Sequence, residues 1–94
     1  MKEIEITVTN ETGLHSRPAD LLVRTSKLYQ SDITVKKGEQ RINAKAILKV
    51  ILLNVCQNDT ITITADGPDE AEALKDLKRL VETDFTEMNE MITI

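Results

Sequence analysis

Apolar and polar residues alternate along four short segments of the chain, which is the period of a strand that buries one face. The segments are 2–9, 32–35, 40–43 and 60–65, and residues 37–39 can turn the second into the third. Because each segment has one apolar and one polar face, we expect an antiparallel sheet with one face open to water. The apolar positions of the first and last segments are Ile4, Ile6 and Val8, and Ile61, Ile63 and Ala65.

Between these segments the apolar residues recur every three or four positions, which is the period of a helix. The first helix is predicted from Ser16 to near Tyr29, with Ser16 as its N-cap and Pro18 in its first turn. A short second helix is predicted over 46–53, and a third follows the N-cap Asp69. The predicted buried stripes are Ala19, Leu22, Val23 and Ser26 in the first helix and Ala73, Leu74, Leu77, Leu80 and Val81 in the third.

The order of the predicted elements is β-α-β-β-α-β-α. It predicts an α+β fold, an open-faced β-sandwich in which three helices cover one face of a four-stranded antiparallel sheet. The chain of 94 residues is long enough for one core, so we expect a single domain over 1–94. Residues 88–94 follow the third helix with a weak apolar alternation, and we interpret them as a C-terminal extension.

The composition limits the partners and the location of the chain. Tyr29 and Phe85 are the only aromatic residues and the net charge is −4, whereas readers of single-stranded nucleic acid need aromatic rings and positive charge. We therefore expect no nucleic-acid partner. No segment approaches the roughly 20 apolar residues of a membrane span and no apolar leader opens the chain, so we expect a cytoplasmic protein without membrane insertion. The single cysteine, Cys56, can form neither an internal disulfide nor a zinc site.

The candidate chemistry lies in the run Gly-Leu-His-Ser-Arg-Pro-Ala at 13–19, where the only histidine, His15, stands between a glycine loop and a helix start. The first N–H groups of a helix lack acceptors within the helix and lie at its positive end, so they favour an anion. Arg17 adds a permanent cation, and imidazole is a nucleophile that can be neutral near physiological pH. These residues could hold a phosphoryl group on His15. On spacing alone, a polar surface histidine beside a solvated arginine is the alternative.

Three stretches of the chain resemble one family. The run at 13–19 resembles the active-site signature of HPr, the histidine-containing phosphocarrier family of the bacterial sugar phosphotransferase system. Residues 43–48, Asn-Ala-Lys-Ala-Ile-Leu, resemble the regulatory segment of that family, and 62–67 with 69–70 resemble its fourth strand and the entry to its last helix. The resemblance covers residues 3–87 in the family's order of elements, which is far more than one short motif. The chain is therefore identified as a member of the HPr family.

The resemblance implies a phosphoryl carrier and not an enzyme. It implies that His15 accepts a phosphoryl group on Nδ1 from enzyme I, itself charged by phosphoenolpyruvate, and hands it to IIA domains of sugar permeases. Arg17 is then the charge partner, and the backbone amides of Ser16 and Arg17 are phosphate ligands. The resemblance implies no metal and no cofactor, and we expect a monomer.

The predicted second helix carries two apolar stripes, of which only one can face the core. The stripes are Ile47, Val50 and Leu53, and Leu48, Ile51 and Leu52. An exposed apolar patch beside a charged site indicates a partner surface, and the resemblance implies that Leu48 and Ile51 bind enzyme I and IIA domains. Arg24, Lys27 and Lys49 are candidates for a basic rim that attracts acidic partners. The alternative is that the domain wraps its own short apolar helix.

The chain departs from the family's pattern at three positions. Ala46 stands where regulated relatives have a phosphorylatable serine, so the resemblance implies that HPr kinase does not act at this position. Asn54 replaces a glycine that is common in the family. Asp20 lies three residues from Arg17, a spacing at which two side chains can meet on a helix. These departures leave two other functions open: a diverged paralogue that acts as a regulatory binding module, for example on a transcriptional regulator, or a carrier in a separate dedicated relay.

Overall fold

The computed structural model describes residues 1–85 and has the predicted order of elements, β-α-β-β-α-β-α. The strands are β1 (Lys2–Thr7), β2 (Asp32–Lys37), β3 (Gln40–Asn43) and β4 (Thr60–Asp66). The helices are α1 (Arg17–Lys27), α2 (Ile47–Leu52) and α3 (Glu70–Glu82). The expected C-terminal extension, 88–94, lies outside the described residues.

The four strands form one antiparallel sheet in the order β1-β4-β2-β3. Ile63 of the inner strand β4 pairs with Ile4 of β1 on one side and with Val35 of β2 on the other. The predicted apolar face of β4 is confirmed, because Ile61, Ile63 and Ala65 are at most 1% exposed; Thr64 of the opposite face is also buried, so the alternation is incomplete there. The other face of the sheet is polar, as expected for a sheet that faces water on one side, and carries Glu3, Glu5, Thr34, Lys36, Arg41 and Thr62.

Three helices cover the apolar face of the sheet, which confirms the predicted fold class. α3 packs against β1 and β4, α2 packs against β3, and α1 contacts both of the other helices. Because α1 has a helix on each side, its buried surface is wider than the predicted stripe and includes Leu21 and Thr25. The predicted stripes of α1 and α3 are buried throughout.

Asp69 occupies the predicted N-cap position of α3, but its side chain makes no capping bond to that helix. The carboxylate instead accepts hydrogen bonds from the Ser31 hydroxyl (2.5 Å), the Gln30 N–H (2.8 Å) and the Ser31 N–H (3.0 Å). These bonds, led by that of the Ser31 hydroxyl, lower the pKa of Asp69. They tie the start of α3 to the segment that enters β2.

The described part of the chain contains neither a membrane-spanning helix nor a metal-ligating cluster. None of its helices is long and apolar enough to cross a membrane. Within residues 1–85, no three His, Cys, Asp or Glu side chains come together in a way that could hold a metal ion.

Candidate functional site

The loop before α1 is held against the loop after α2 through Gly13 and Leu14. Leu14 is fully buried, and its N–H donates to the carbonyl oxygen of Val55 at 2.9 Å. Gly13 has a φ of +62°, and a Cβ at this position would collide with the same carbonyl, so the close approach requires glycine. Asn10 supports the turn because its Nδ2 donates to the Gly13 carbonyl at 2.8 Å. His15 therefore directly follows a fixed backbone anchor.

The loop that supplies Val55 is held by an ion pair that the sequence did not reveal. Lys37 Nζ lies 3.0 Å from Asp59 Oδ2 and donates to the Asn54 carbonyl at 2.6 Å. The N–H of Cys56 donates to the same Asp59 oxygen at 2.8 Å. This N–H, and after it the Lys37 ammonium, lower the pKa of Asp59. Because Lys37 is the last residue of β2, these bonds join the sheet to the supporting loop.

Ser16 occupies the predicted N-cap position of α1, but its side chain makes no capping hydrogen bond. A capping serine has an extended backbone, whereas Ser16 has a φ of 55° and a ψ of −126°. A residue other than glycine in such a region costs about 1–3 kcal/mol, and this kind of strain concentrates at functional sites. The first N–H groups of α1 are thus left without a side-chain cap from Ser16.

His15, Ser16 and Arg17 lie in sequence at the N-terminal end of α1. His15 is half-buried, whereas Ser16 and Arg17 are exposed. Pro18 follows Arg17 in the first turn and has no N–H to offer, so the backbone donors at this end belong to its neighbours. An anion carried on the imidazole would lie at the positive end of the helix, close in sequence to a guanidinium. This arrangement suits a phosphoryl group.

Asp20 forms an ion pair with Arg24 on the surface of α1. Its Oδ2 lies 3.0 Å from Arg24 Nε, and the side chains are 50% and 57% exposed. An acid four residues before a base is the favourable order on a helix, whereas Arg17 precedes Asp20. A solvated pair of this kind contributes only about 0.3–0.5 kcal/mol. Asp20 thus has a cationic partner one turn further along α1, and its suggested contact with Arg17 stays a prediction.

The apolar side chains of α2 divide between the core and the solvent. Val50 and Leu53 are buried, whereas Leu48 and Leu52 are 70% and 74% exposed. Ile51 is half-buried and packs against the core, so it faces solvent less than the resemblance implies. Leu48 and Leu52 are thus the candidate docking residues that the described part of the chain leaves uncovered.

Two more apolar residues in this region are exposed. Ile47, the first residue of α2, is 38% exposed although it shares the stripe of the buried Val50, and Leu28, just after α1, is 68% exposed. The sequence analysis did not identify Leu28 as an exposed apolar residue. Leu28 stands four residues after the exposed Arg24 and so lies on the same outward face of α1. Lys45 precedes α2, and its Nζ donates to the carbonyl of Tyr29, which follows α1, at 2.7 Å. This bond joins the start of α2 to the end of α1. The candidate rim residues Arg24, Lys27 and Lys49 are all exposed.

Ala46 is the N-cap residue of α2. Its φ of −111° and ψ of 103° are those of a capping residue, and its carbonyl accepts the first helical bond from Val50 at 3.0 Å. Alanine has no oxygen with which to cap the helix. The backbone geometry of a serine cap is therefore present without the hydroxyl.

Comparison with known proteins places this geometry in a family. The family model described as the HPr component phosphorylation site of the phosphotransferase system matches residues 2–83. The chain belongs to the HPr family. This match confirms the resemblance that was drawn from residues 13–19, 43–48, 62–67 and 69–70. The chain is therefore a member of the phosphocarrier family of the phosphotransferase system.

Relatives of known sequence or structure agree with the family model over nearly the whole chain. The phosphocarrier protein HPr of Xylella fastidiosa is 41% identical over 87 residues, which are 93% of this chain and 98% of that protein. The structure of HPr-C-His from Thermoanaerobacter tengcongensis superposes with a TM-score of 0.90 at 44% identity, over 93% of this chain and 98% of that chain. An HPr dimer from the same organism has a TM-score of 0.75 at 44% identity, over 93% of this chain and 100% of that chain. That relative is thus known as a dimer, whereas the monomer expected for this chain stays a prediction.

Proposed function

We propose that this chain accepts a phosphoryl group on His15 from phosphorylated enzyme I and passes it to IIA domains of sugar permeases, in the cytoplasm. The observation that carries the proposal is the position of His15, which follows the buried anchor Leu14 and directly precedes the end of α1 that Ser16 leaves uncapped. Membership of the HPr family supports the same role.

The proposed reaction consists of two transfers at one nitrogen. In the first, the lone pair of Nδ1 on neutral His15 attacks phosphorus, and the new P–N bond forms as the bond between phosphorus and enzyme I breaks. In the second, a nucleophile of the IIA domain attacks the same phosphorus, and the P–N bond breaks with its electron pair returning to Nδ1. The chain is the acceptor of the first transfer and the donor of the second, so it acts as a carrier rather than an enzyme, and neither transfer calls for a cofactor or a metal.

The neighbours of His15 stabilise the charge of the carried group. We assign the guanidinium of Arg17 as the charge partner and the N–H groups of Ser16 and Arg17 as phosphate ligands. Charge-assisted hydrogen bonds to phosphate are the stronger ones, and the positive end of α1 adds to them. The strained backbone of Ser16 supports this assignment because it opens the helix end to an outside acceptor.

Partner binding is assigned to α2 and its basic surroundings. Leu48 and Leu52 supply the exposed apolar area, with Ile51 beside them. Arg24, Lys27 and Lys49 form the rim, which would speed the encounter with acidic partners on a chain whose net charge is −4. Since Ala46 lacks a hydroxyl, HPr kinase is not expected to act at this position, and the carrier is not switched there.

A second function is that of a regulatory binding module, for example on a transcriptional regulator. The observation that favours it is the exposed apolar surface of Leu48 and Leu52, which can bind a partner without any chemistry at His15. Labelling of His15 separates the two functions, because a pure binding module takes up no phosphate. A carrier in a separate relay would be labelled only by the enzyme I of that relay.

Incubation of the full chain with enzyme I and radiolabelled phosphoenolpyruvate tests the proposal. We expect an acid-labile, base-stable label that is absent from His15→Gln. The matched control is Lys78→Ala, a surface change on α3 that should be labelled like the wild type. If several enzymes I leave the wild-type chain unlabelled while they label an authentic HPr, the carrier function is wrong and the binding module is favoured.

A further inference from the structure

The outer edge of β1 is open in the described part of the chain. β1 lies at the end of the sheet, and within residues 1–85 only β4 pairs with it. Such an edge presents N–H and C=O groups to which a further strand can bind. Ile4 and Ile6 point towards the core and Glu3 and Glu5 towards the polar face, as the alternation of β1 requires. A strand bound at this edge would therefore meet apolar side chains on one face of the sheet and carboxylates on the other.

A groove runs beside this edge, between β1 and α3, with a cavity volume of about 550 Å³. Its apolar floor is formed by Ile4, Ala71 and Leu74. Its rim carries three exposed lysines, Lys2, Lys75 and Lys78. None of these ammonium groups forms an ion pair or a hydrogen bond to another of the residues 1–85. The groove thus combines an apolar floor with three cations, of which Lys2 interacts electrostatically with Glu70, while Lys75 and Lys78 have no ion pair within residues 1–85.

The acids around the groove balance the charge of its rim only in part. Glu70, the first residue of α3, lies 3.2 Å from the amino group of Met1 and accepts from the Gly67 N–H, so its charge is already engaged. Among residues 1–85, Glu3 is the only carboxylate that lines the groove. On a chain of net charge −4 this is a local positive site, and positive sites favour acidic ligands.

A second copy of the chain does not suit this edge. In an antiparallel pair, residues opposite each other lie on the same face of the sheet. Suppose that the β1 strands of two copies pair about a two-fold axis that passes through residue 3, 4 or 5. Glu3 of one copy then lies opposite Glu5 of the other, or one of these glutamates lies opposite its own counterpart. Like charges directly opposite destabilise a sheet. The two glutamates instead favour a strand that presents lysine or threonine on the polar face.

We propose that the outer edge of β1 and the groove between β1 and α3 bind an extended segment of a partner protein, with acidic and apolar side chains on one face and lysine or threonine on the other. The backbone of the segment pairs with β1. Its acidic and apolar face lies over Ile4 and Leu74 within reach of the three lysines, and its basic face lies beside Glu3 and Glu5. The proposal uses none of the residues assigned to phosphoryl transfer, so it goes beyond the proposed function.

The test is a titration of the isotope-labelled full chain with a synthetic peptide of about ten residues, the length of a long strand. The probe alternates glutamate and valine on one face with lysine and threonine on the other, and the control peptide has lysine in place of each glutamate. We expect saturable shifts of the amide resonances of β1 and of the first half of α3 in the NMR spectrum. The control peptide, and the double variant Lys75→Glu with Lys78→Glu, should each bind about tenfold more weakly.

The matched control variant is Lys27→Glu with Lys49→Glu, which has the same charge change and should bind the probe like the wild type. The proposal is overturned if the probe does not bind, if both peptides bind equally, or if the shifts fall on α2. It is also overturned if, without peptide, the outer amides of β1 exchange slowly, since another part of this chain would then cover the edge. If the β1 amide resonances shift with protein concentration in the absence of peptide, a second copy of the chain binds the edge and the proposed partner is wrong. Labelling of His15 by enzyme I should be unchanged in the Lys75→Glu, Lys78→Glu variant, and its loss would assign these lysines to transfer instead.

Discussion

The N–H of Leu14 donates to the carbonyl oxygen of Val55 at 2.9 Å, and this bond joins the two loops on which the proposed carrier depends. Leu14 directly precedes His15. Val55 follows α2, which carries the exposed Leu48 and Leu52. The nitrogen proposed to take up phosphate and the surface proposed to bind the partners are therefore linked by one short path through the backbone.

Gly13→Ala should break this link. The added Cβ collides with the Val55 carbonyl, and alanine disfavours the φ of +62°. The matched control is Gly38→Ala, which has nearly the same φ of +61° but open space around the added Cβ. We expect Gly13→Ala to lose about 1–3 kcal/mol more free energy of unfolding than Gly38→Ala, because only Gly13 adds the collision to the backbone cost.

Urea denaturation of both glycine variants measures the difference, and the initial rate of labelling by enzyme I measures its consequence for His15. The rate should fall in Gly13→Ala and stay near the wild-type rate in Gly38→Ala. Equal losses of stability in the two variants would show that the approach of Gly13 to Val55 does not support the site.

Ala46→Ser should stabilise the protein. The backbone of Ala46 already has the extended conformation of an N-cap residue, so a serine hydroxyl can accept from the first N–H groups of α2 and add about 1 kcal/mol to the free energy of unfolding. Urea denaturation measures the gain. Ala71→Ser, the same substitution at an exposed position inside α3, is the control and should give no gain. If Ala46→Ser is no more stable than the wild type, the missing hydroxyl is not what leaves α2 uncapped.

Leu48→Glu should impair transfer without unfolding the protein. Its side chain is 70% exposed, so the free energy of unfolding should change by less than about 0.5 kcal/mol. A central interface residue is typically worth more than about 1 kcal/mol of binding, and the rate of labelling by enzyme I should fall roughly tenfold. The conservative control Leu48→Met keeps the apolar surface and should keep the rate. An unchanged rate in Leu48→Glu would rule α2 out as the docking surface.

Ile51→Glu should behave differently from Leu48→Glu. Ile51 is half-buried and packs against the core, so a half-buried carboxylate at this position should lower the stability as well as the rate of transfer. Thermal unfolding of the two variants separates the effects. If Ile51→Glu is as stable as Leu48→Glu, then Ile51 does not contribute to the core.

The pattern of the sequence predicted the order of the elements because burial repeats with the geometry of each element. The stripe from Ala73 to Val81 lies on one side of a helix and the alternation from Ile61 to Ala65 on one side of a strand, so each is visible in the local sequence. The width of the buried face of α1 was not visible. Leu21 and Thr25 are buried because two other helices flank α1, and that contact is set by the tertiary structure.

The candidate site was likewise predictable only where the signal is local. His15 and Arg17 stand in a contiguous run, so their position at the start of α1 follows from local signals. The partners of Asp69 and Asp59 did not follow, because Ser31 and Lys37 lie far from them in sequence. A local propensity indicates that an acid begins a helix or a turn, whereas the donor that the acid binds is brought to it by the fold.

The bonds of Asp69 predict a loss of stability in acid. Its pKa in the folded protein lies below the ordinary value of 3.8, so the unfolded chain takes up the proton first as the pH falls. The stabilisation is therefore complete above about 3.8 and is lost as the pH falls through the folded pKa. Urea midpoints measured from neutral pH down to about 2 should show Asp69→Asn less stable than the wild type at neutral pH, with the difference shrinking in acid.

The Ser31→Ala background serves as the control for Asp69. It removes the hydroxyl that has the largest effect on the pKa of Asp69, so the acid-dependent difference between Asp and Asn at position 69 should be smaller in this background. A difference that stays constant from neutral to acid pH would show that the Asp69 carboxylate does not stabilise the fold through its charge.

Transfer of the label to a second protein tests the carrier function most directly. The chain is labelled by enzyme I and radiolabelled phosphoenolpyruvate, freed from both, and mixed with an isolated IIA domain of a sugar permease. Our account predicts that the label leaves His15 and appears on the IIA domain, and that His15→Gln neither takes it up nor delivers it. A label that forms equally on His15→Gln, or that stays on the wild-type chain with every IIA domain tried, would contradict the account.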